Sequence, residues 1–159
     1  MTIAIYPGSF DPITNGHIDI LKSGSEIFDK VIIAVSYNVN KKGFLPIEKR
    51  VELIKKSVSH LKNIEVDAFT GLTVEYAKKK DADVLLRGLR TSFDFEYELQ
   101  LSQTNNALNN NLKTVFLITK PEYNFISSSM VREILANKGD ISKFVPESVN
   151  EYFLSNYDI

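Results

Sequence analysis

Five short apolar runs alternate with longer amphipathic stretches along the chain, and this alternation limits the fold more than any other feature of the sequence. The runs are rich in β-branched residues and span residues 3–6, 31–35, 64–66, 84–86 and 114–118. Most of them are almost continuously apolar, which is typical of strands that are covered on both faces of a parallel sheet. Apolar residues at helical spacing lie between the runs, and the segment after Gly139 predicts a further short helix packed on the body.

This order of strands and helices predicts an α/β fold with an open, parallel, five-stranded sheet, helices on both faces and a Rossmann-like architecture. A length of 159 residues fits a single domain, residues 1–159, because domains usually contain about 100–200 residues. Glycine (7) and proline (5) are few and scattered, so no internal linker is predicted. The asparagine-rich segment 105–111 predicts a helix end that passes into a loop before the last strand.

The composition excludes several classes of functional site. The chain has no cysteine, which excludes disulfide scaffolds, thiolate zinc sites, iron–sulfur clusters and cysteine nucleophiles. Its two histidines, His17 and His60, are too few for a multi-histidine metal site. A net charge of −1 lacks the basic excess of a general nucleic-acid-binding protein. Because no apolar run approaches the roughly 18–20 residues of a membrane span and the start has no basic leader, we expect a cytoplasmic protein without a nucleic-acid or membrane partner.

The segment after the first strand offers a place for an anion. In an open α/β sheet, ligands bind beyond the carboxyl ends of the strands. There Ser9 precedes a turn, and Gly16 and His17 begin a helix, whose N-terminal amides attract negative charge. His17 either directs a ring nitrogen at a bound anion or is an exposed polar residue near a helix cap. His60, at the end of a charged helix, is expected to be a solvated surface residue.

Two arginines follow the fourth strand directly. Arg87 and Arg90 flank a glycine, and the rigid donor fork of a guanidinium group suits phosphate. The alternative for each arginine is an ion pair with one of the nearby acids, Asp94, Glu96 or Glu98. Of the two interpretations, phosphate binding is the one we carry forward.

Lys41 and a run of serines follow the second and fifth strands. Lys41 lies in a loop, where it is either solvated or able to reach an anion. The serines at 127–129 directly precede an apolar-periodic stretch, so they are either plain helix N-caps or a second set of hydroxyl and amide groups for phosphate. Because all these segments end at one edge of the sheet, we predict a polyphosphate site there, with His17 near the reacting atom.

Several blocks of the sequence resemble the nucleotidyltransferase superfamily. Residues 14–17, Thr-Asn-Gly-His, are similar to its T/H-x-G-H signature. Residues 126–132 are similar to its second signature, I-S-S-T/S-x-x-R, with Arg132 in the final place. The blocks that narrow the resemblance to the bacterial phosphopantetheine adenylyltransferases are residues 6–19, 87–90 and 94–98. The similarity extends from the first strand to the tail, in order and at matching spacing.

The resemblance implies a single nucleotidyltransferase domain and a specific reaction. An adenylyl group would pass reversibly from ATP to 4′-phosphopantetheine, giving dephospho-coenzyme A and pyrophosphate, the penultimate step of coenzyme A biosynthesis. The attack would be direct and in line, without a covalent enzyme intermediate. The family uses Mg²⁺, which the ATP phosphates rather than protein side chains would carry, and it commonly assembles as a homohexamer.

The resemblance also implies roles for individual residues. The expected catalytic residues are His17, Lys41 and Arg90. The expected ATP-binding residues are Ser9, Phe10, His17, Gly88, Leu89, Arg90, Glu98, Tyr123, Asn124, Phe125, Ile126, Ser127, Ser128 and Ser129. The expected phosphopantetheine-binding residues are Ser9, Lys41, Thr73 and Arg87. Residues 91–93, Thr-Ser-Phe, depart from the smaller residues expected there and place bulk near the long helix.

Three other functions compete with this one. Another small-molecule adenylyl- or cytidylyltransferase of the superfamily would keep the histidine signature and accept a different phosphate-bearing substrate. A non-catalytic nucleotide sensor would bind ATP without consuming it and would not need His17 beside the triphosphate. A flavodoxin-like electron carrier is disfavoured, because the chain has no tryptophan and only scattered aromatic residues after its strands.

Overall fold

Five parallel strands form one sheet in the order β3-β2-β1-β4-β5. The computed structural model describes residues 1–157, so the last two residues of the predicted domain lie outside the described range. The strands are β1 (Ile3–Gly8), β2 (Lys30–Ser36), β3 (Ile64–Phe69), β4 (Val84–Leu89) and β5 (Lys113–Ile118). The helices are α1 (Asn15–Ile27), α2 (Ile47–Ser57), α3 (Thr73–Lys79), α4 (Ser92–Leu108), α5 (Ser128–Ala136) and α6 (Glu147–Asn156), with a 3-10 turn at Pro121–Tyr123. The predicted α/β fold with a five-stranded parallel sheet is confirmed.

The continuously apolar runs are the inner parts of the strands. The middle of β2, residues 31–35, is buried between β1 and β3, as expected of a central parallel strand. Strand β4 extends three residues beyond its predicted end, because Arg87 and Gly88 continue the pairing with β5. The apolar run was therefore shorter than the strand, because polar and small residues continue β4 at its end. As a result, Arg87 is part of the sheet itself.

Helices cover both faces of the sheet, as predicted. On one face, Tyr6, Ile33 and Leu86 belong to the larger core cluster, which also includes buried residues of α1, α2, α5 and α6. On the other face, Ile5 and Leu85 belong to a smaller cluster completed by α3. Burial of these side chains supplies the main driving force for folding, about 25 cal/mol for each Å² of apolar surface removed from water.

Helix α4 leaves most of its apolar side chains in solvent. Phe93 is 84% exposed and Tyr97 is 65% exposed, and Phe95, Leu99 and Leu108 are exposed as well. The buried residue that α4 contributes is Glu98. The apolar stripe predicted this helix correctly, but within one chain the stripe does not pack on the sheet. Exposed apolar patches of this kind mark surfaces that bind another molecule.

The remaining helix ends agree with the sequence. Helix α4 ends at Leu108, where Asn109 caps it, and a loop leads into β5, so the asparagine-rich segment is a helix end followed by a loop. The predicted short helix after Gly139 is α6. Between residues 1 and 157, no helix has both the length and the apolar character that crossing a bilayer requires.

Candidate active site

A cavity of about 280 Å³ lies at the carboxyl ends of β1 and β4, where the strand order reverses. This is the place where open α/β sheets bind ligands. Predicted residues on its wall from the β1–α1 segment and from β4 and the residue after it are Ser9, Phe10, His17, Arg87, Gly88 and Arg90. Predicted residues on its wall from α4 and from the segment that leads into α5 are Glu98, Ile126, Ser127 and Ser128. Residues that follow the first, fourth and fifth strands therefore meet at this cavity as predicted, whereas Lys41 after the second strand does not line it.

Helix α1 begins with a capping box that orients His17. The N-cap is Thr14, whose hydroxyl oxygen accepts a hydrogen bond from the backbone N–H of His17 at 3.4 Å. The backbone N–H of Thr14 donates in return to Nδ1 of His17 at 3.0 Å. Because Nδ1 is an acceptor in this bond, the proton of the neutral ring resides on Nε2. His17 therefore offers an N–H donor at a cavity wall, which the cap holds in place.

The surroundings of His17 keep its ring neutral. Burial of the imidazole, together with the positive charges of Arg90 and Arg87, lowers the pKa of His17 from its ordinary 6.5 to about 4. The ring packs edge-on against Phe10, with centroids 5.0 Å apart, and against Tyr6 at 6.3 Å. At neutral pH the side chain is thus a fixed hydrogen-bond donor without a charge.

Arg87 is bound by both oxygens of one carboxylate. Its Nε donates to Glu98 Oε2 at 2.7 Å and its Nη2 to Oε1 at 2.5 Å. Its Nη1 donates to the carbonyl oxygen of Pro7 at 2.9 Å. This bidentate pair joins β4 to α4 and holds the guanidinium group at the cavity wall.

Arg90 makes a second, more exposed ion pair. Its Nε donates to Asp94 at 3.1 Å, and its Nη1 donates to the carbonyl oxygen of Ile126 at 3.0 Å. The ion pairs weighed as an alternative to phosphate binding thus exist for both arginines. Because Arg87 and Arg90 also line the cavity, pairing does not prevent contact with an anion. Phosphate binding by either residue stays a prediction.

The serines after β5 form the start of α5. Ser127 is the N-cap, and its hydroxyl oxygen accepts from the backbone N–H of Met130 at 3.1 Å, which confirms the predicted cap. The hydroxyl of Ser128 donates to the carbonyl oxygen of Pro12 at 2.7 Å. Arg132 donates to the carbonyl oxygen of Asp11 at 2.7 Å. The second signature therefore fastens the start of α5 to the loop between β1 and α1.

A second cavity of about 210 Å³ adjoins the first. The two share Pro7, Gly8 and Arg87, and Thr73 lines only the second. Leu101 and Asn105 of α4 also line it. The structure therefore provides two neighbouring cavities that meet at one arginine, and the predicted substrate contact Thr73 lies in the smaller cavity.

Several predicted residues lie outside the lining of the larger cavity. Lys41 is exposed in the loop between β2 and α2. The others outside the lining are Leu89, Tyr123, Asn124, Phe125 and Ser129. Their assigned roles stay predictions. Thr91 caps α4, and the ring of Phe93 is mostly in solvent, so the bulk expected from residues 91–93 does not enter the cavity.

Sequence reasoning assigned no role to three residues that shape the site. Tyr6 lines the larger cavity, although its place in an apolar run indicated only a core residue. Asp11 and Arg50 form a buried pair behind the loop between β1 and α1. The sequence feature that could have indicated a buried role for Arg50 is its position on the apolar face of α2, which also carries Leu53 and Ile54.

The side chains at the cavity do not fit a metal held by the protein. The two carboxylates there, those of Asp94 and Glu98, are each bound to an arginine. In the range 1–157, no three acidic or histidine side chains come together in a way that suits a cation. A divalent ion carried by a phosphate ligand stays a prediction.

Comparisons with known proteins agree with the motifs. The cytidylyltransferase-like family matches residues 5–134. A phosphopantetheine adenylyltransferase of Crocosphaera subtropica is 55% identical, with 92% of this chain and 94% of the relative covered. Proteins of the same name from Alkaliphilus metalliredigens and Caldanaerobacter subterraneus are 52% and 48% identical, with 94% and 99% of this chain covered and 95% and 98% of the relatives.

A solved structure is similar in fold. A Vibrio parahaemolyticus protein provisionally named nicotinate-nucleotide adenylyltransferase superposes with a TM-score of 0.75 at 21% identity, covering 98% of this chain and 93% of that one. At this identity the likeness concerns the fold alone. The family match and the identity to the three relatives over nearly the whole chain go further: the chain belongs to the phosphopantetheine adenylyltransferases, within the cytidylyltransferase-like family.

Proposed function

We propose that this protein transfers an adenylyl group from ATP to 4′-phosphopantetheine, reversibly, giving dephospho-coenzyme A and pyrophosphate. This is the penultimate step of coenzyme A biosynthesis. The observation that carries the proposal is the gathering of a neutral Nε2–H donor on His17, two arginines and the N-terminus of α5 at one cavity. Such a set of donors suits a polyphosphate.

The reaction needs no protein nucleophile. A phosphate oxygen of phosphopantetheine attacks the α-phosphorus of ATP, and the bond from that phosphorus to the oxygen bridging to the β-phosphate breaks. The attacking oxygen is already anionic, so no base has to remove a proton. Holding the two substrates in line supplies on the order of 7–11 kcal/mol of barrier reduction. The rest comes from donors placed where negative charge develops.

The neutral donor of His17 is assigned to the α-phosphate. Its Nε2–H strengthens its hydrogen bond as charge builds on the α-phosphate oxygens in the transition state. The N-terminal ends of α1 and α5 add partial positive charge at the same edge. These groups are fixed before substrate binds, because the capping box holds His17 and Ser127 caps α5.

The two cavities divide the substrates between them in this proposal. ATP occupies the larger cavity, against Arg90 and the start of α5, and phosphopantetheine extends into the smaller cavity past Thr73. Arg87 lines both cavities, so its guanidinium group is assigned to the acceptor phosphate at the point where the substrates meet. Lys41 in the neighbouring loop is assigned to the same phosphate.

Mg²⁺, a homohexamer and a cytoplasmic location complete the proposal. Mg²⁺ enters with the ATP phosphates and neutralises part of their charge.

The exposed apolar side chains of α4 support self-association. We expect a native mass near six times the 18.0 kDa of one chain in light scattering. A monomer at micromolar concentration would contradict the hexamer.

The function is tested by incubating the protein with ATP, Mg²⁺ and phosphopantetheine and detecting dephospho-coenzyme A by mass spectrometry. Pyrophosphate release is measured in parallel with other phosphate-bearing acceptors. Formation of product with phosphopantetheine and with none of the other acceptors supports the proposal. Preference for another acceptor identifies a different transferase of the superfamily. ATP binding without release of pyrophosphate in the presence of any acceptor identifies a nucleotide sensor and refutes the proposal.

The pH dependence of kcat/KM follows from the state of His17. Its pKa in the free enzyme is lowered to about 4, so protonation removes the neutral form only as the pH falls towards that value. We therefore expect His17 to contribute no decline in kcat/KM for ATP near pH 6.5 and to reduce it only below about pH 5. A stopped-time assay in constant-ionic-strength buffers between pH 4.5 and 8 measures this, and His17→Ala is the control, because the substrate phosphates titrate at about pH 6 in both proteins. A decline centred near pH 6.5 that the wild type shows and His17→Ala lacks would show that His17 titrates as an ordinary histidine.

Replacing Arg90 by alanine is expected to weaken ATP binding. The change removes a positive charge from the cavity wall and the bond that Arg90 donates to Ile126, so we expect the Kd for ATP to rise about tenfold or more. Isothermal titration calorimetry measures the Kd. Asp94→Ala removes the partner of the same arginine but not the arginine, and it serves as the control. An unchanged Kd in Arg90→Ala would remove Arg90 from the nucleotide site.

A further inference from the structure

A buried carboxylate connects the first two loops at the carboxyl edge of the sheet. Asp11 lies in the loop between β1 and α1 and is only 7% exposed. Its Oδ2 accepts from the backbone N–H of Phe44 at 2.7 Å, and its Oδ1 accepts from that of Leu45 at 2.8 Å. Phe44 and Leu45 belong to the loop between β2 and α2, which also carries Lys41. One side chain therefore holds two successive amides of the neighbouring loop.

The guanidinium group of Arg50 completes this connection from α2. Its Nε donates to the carbonyl oxygen of Leu45 at 2.8 Å and lies 3.4 Å from Oδ1 of Asp11. Its Nη1 donates to the carbonyl oxygen of Ser9 at 3.3 Å. Arg50 is 6% exposed. We refer to Asp11 and Arg50 together as the Asp11–Arg50 clamp, because they bind the backbone of both loops.

Gly43 marks how closely the loop packs on the clamp. A Cβ atom built on Gly43 would lie 1.7 Å from Nη2 of Arg50 and 3.0 Å from Oδ2 of Asp11. The space next to this residue is therefore filled by the guanidinium group. A side chain at position 43 would have to displace Arg50, which provides a way to disturb the clamp without removing either charge.

We infer that Asp11 and Arg50 are positioning residues that fix the loop carrying Lys41 against the loop carrying Ser9. Removing two charges from water is costly, and apolar side chains of similar size often stabilise a fold as well or better. What a buried ion pair with four backbone bonds adds is a single relative placement of the two loops. The inference rests on the proposed function for one point only, namely that Lys41 contacts phosphopantetheine.

The first arm of the test measures the loop without reference to activity. Hydrogen exchange is followed by mass spectrometry in peptides that cover Phe44 and Leu45, in the wild type and in Arg50→Lys. Lysine keeps the charge but loses the planar fork, so it cannot bind Leu45 and Ser9 together. The amides of Phe44 and Leu45 keep Asp11 as their acceptor, but the loop loses the bonds that the charged Arg50 donates to Leu45 and Ser9. We expect the loop to open more often and its amides to exchange about tenfold faster or more. Unchanged exchange would overturn the inference.

The second arm measures the two substrates separately. In Arg50→Lys we expect KM for phosphopantetheine to rise about tenfold, because the loop of Lys41 is loosened. KM and the calorimetric Kd for ATP should change little, because Ser128 and Arg132 still hold the loop of Ser9 through the carbonyl oxygens of Pro12 and Asp11. Gly43→Ala, which displaces the guanidinium group, is expected to give the same pattern. Leu53→Ala is the matched control, because Leu53 lies buried in the core on the same helix but is not part of the clamp. It lowers stability and leaves the ratio of the two KM values unchanged.

The outcomes separate this inference from the proposed function. Faster exchange together with a selective rise in KM for phosphopantetheine supports the clamp as a positioning device. Faster exchange with an equal effect on both substrates, or the same ratio of KM values as in Leu53→Ala, shows a structural role only and overturns it. A wild-type protein that forms no dephospho-coenzyme A refutes the proposed function, and that result is read from the wild type rather than from the variants.

Discussion

Replacing His17 by alanine is expected to lower kcat by about 10²- to 10³-fold, the usual effect of removing one preorganised donor to a developing oxyanion. The ring is neutral, its Nδ1 is occupied by the Thr14 amide, and its Nε2–H is the group left to act at the cavity. A donor that acts mainly in the transition state contributes little to ground-state binding. We therefore expect the Kd for ATP to stay within about threefold of the wild type. Single-turnover kinetics and calorimetry measure the two quantities.

A glutamate at the same position separates the donor from the helix cap. Alanine removes the acceptor for the Thr14 amide as well as the ring, and the loss of a cap destabilises a protein by about 1 kcal/mol. Glutamate is a common capping-box residue that bonds back to the N-cap amide, and its carboxylate has no N–H to donate. We expect His17→Glu to recover the thermal stability lost in His17→Ala but not the turnover. If turnover recovers with stability, His17 acts only through the cap, and near-normal turnover in His17→Ala removes it from the mechanism.

The fold was predictable because the strands of a doubly covered sheet have a distinct pattern. Residues 31–35 are continuously apolar and form the buried middle of β2, and the intervening periodicities gave the helices. The pattern did not predict the ends of the strands at the candidate site. The last residues of β4, including Arg87 and Gly88, are polar or small yet continue the sheet, because backbone pairing does not depend on the side chains.

The candidate site was partly predictable because a topological rule links the ends of the parallel strands. The rule brings His17, Arg87, Arg90 and the start of α5 to one edge, and all four lie on the cavity wall. The rule carries no information on pairing between elements. The bonds from Asp11 to Leu45 and from Arg50 to Ser9 span 34 and 41 residues, and no local spacing specifies such contacts.

The apolar residues of α4 illustrate a different limit. Their number predicts a helix that packs on something, but they lie on more than one side of it and do not say which surface covers them. In the single chain most of them meet solvent, and Glu98 is the buried residue of this helix. A sequence pattern therefore predicts a helix without saying whether the same chain or another molecule covers its apolar side chains.

Arg87→Ala is expected to lower the free energy of unfolding by about 3–5 kcal/mol, the usual cost of leaving a buried charge without its partner. Glu98 is buried, and its two oxygens both accept from Arg87, so the alanine variant leaves a carboxylate with no guanidinium group beside it. The Arg90–Asp94 pair is the control, because it also joins an arginine to a carboxylate but at a more exposed place. Asp94→Ala should cost about 1 kcal/mol or less. Urea denaturation at neutral pH measures both.

A double variant then distinguishes stability from substrate binding at the same pair. Replacing Arg87 by methionine and Glu98 by leucine removes both charges together, and apolar replacements of a buried ion pair are often neutral or stabilising. We expect the double variant to regain most of the stability lost in Arg87→Ala. It should not regain activity, because a phosphate at the junction of the two cavities would then lack its guanidinium partner. A stable double variant with wild-type kcat/KM would mean that Arg87 serves the fold alone, and the acceptor phosphate would have to be held elsewhere.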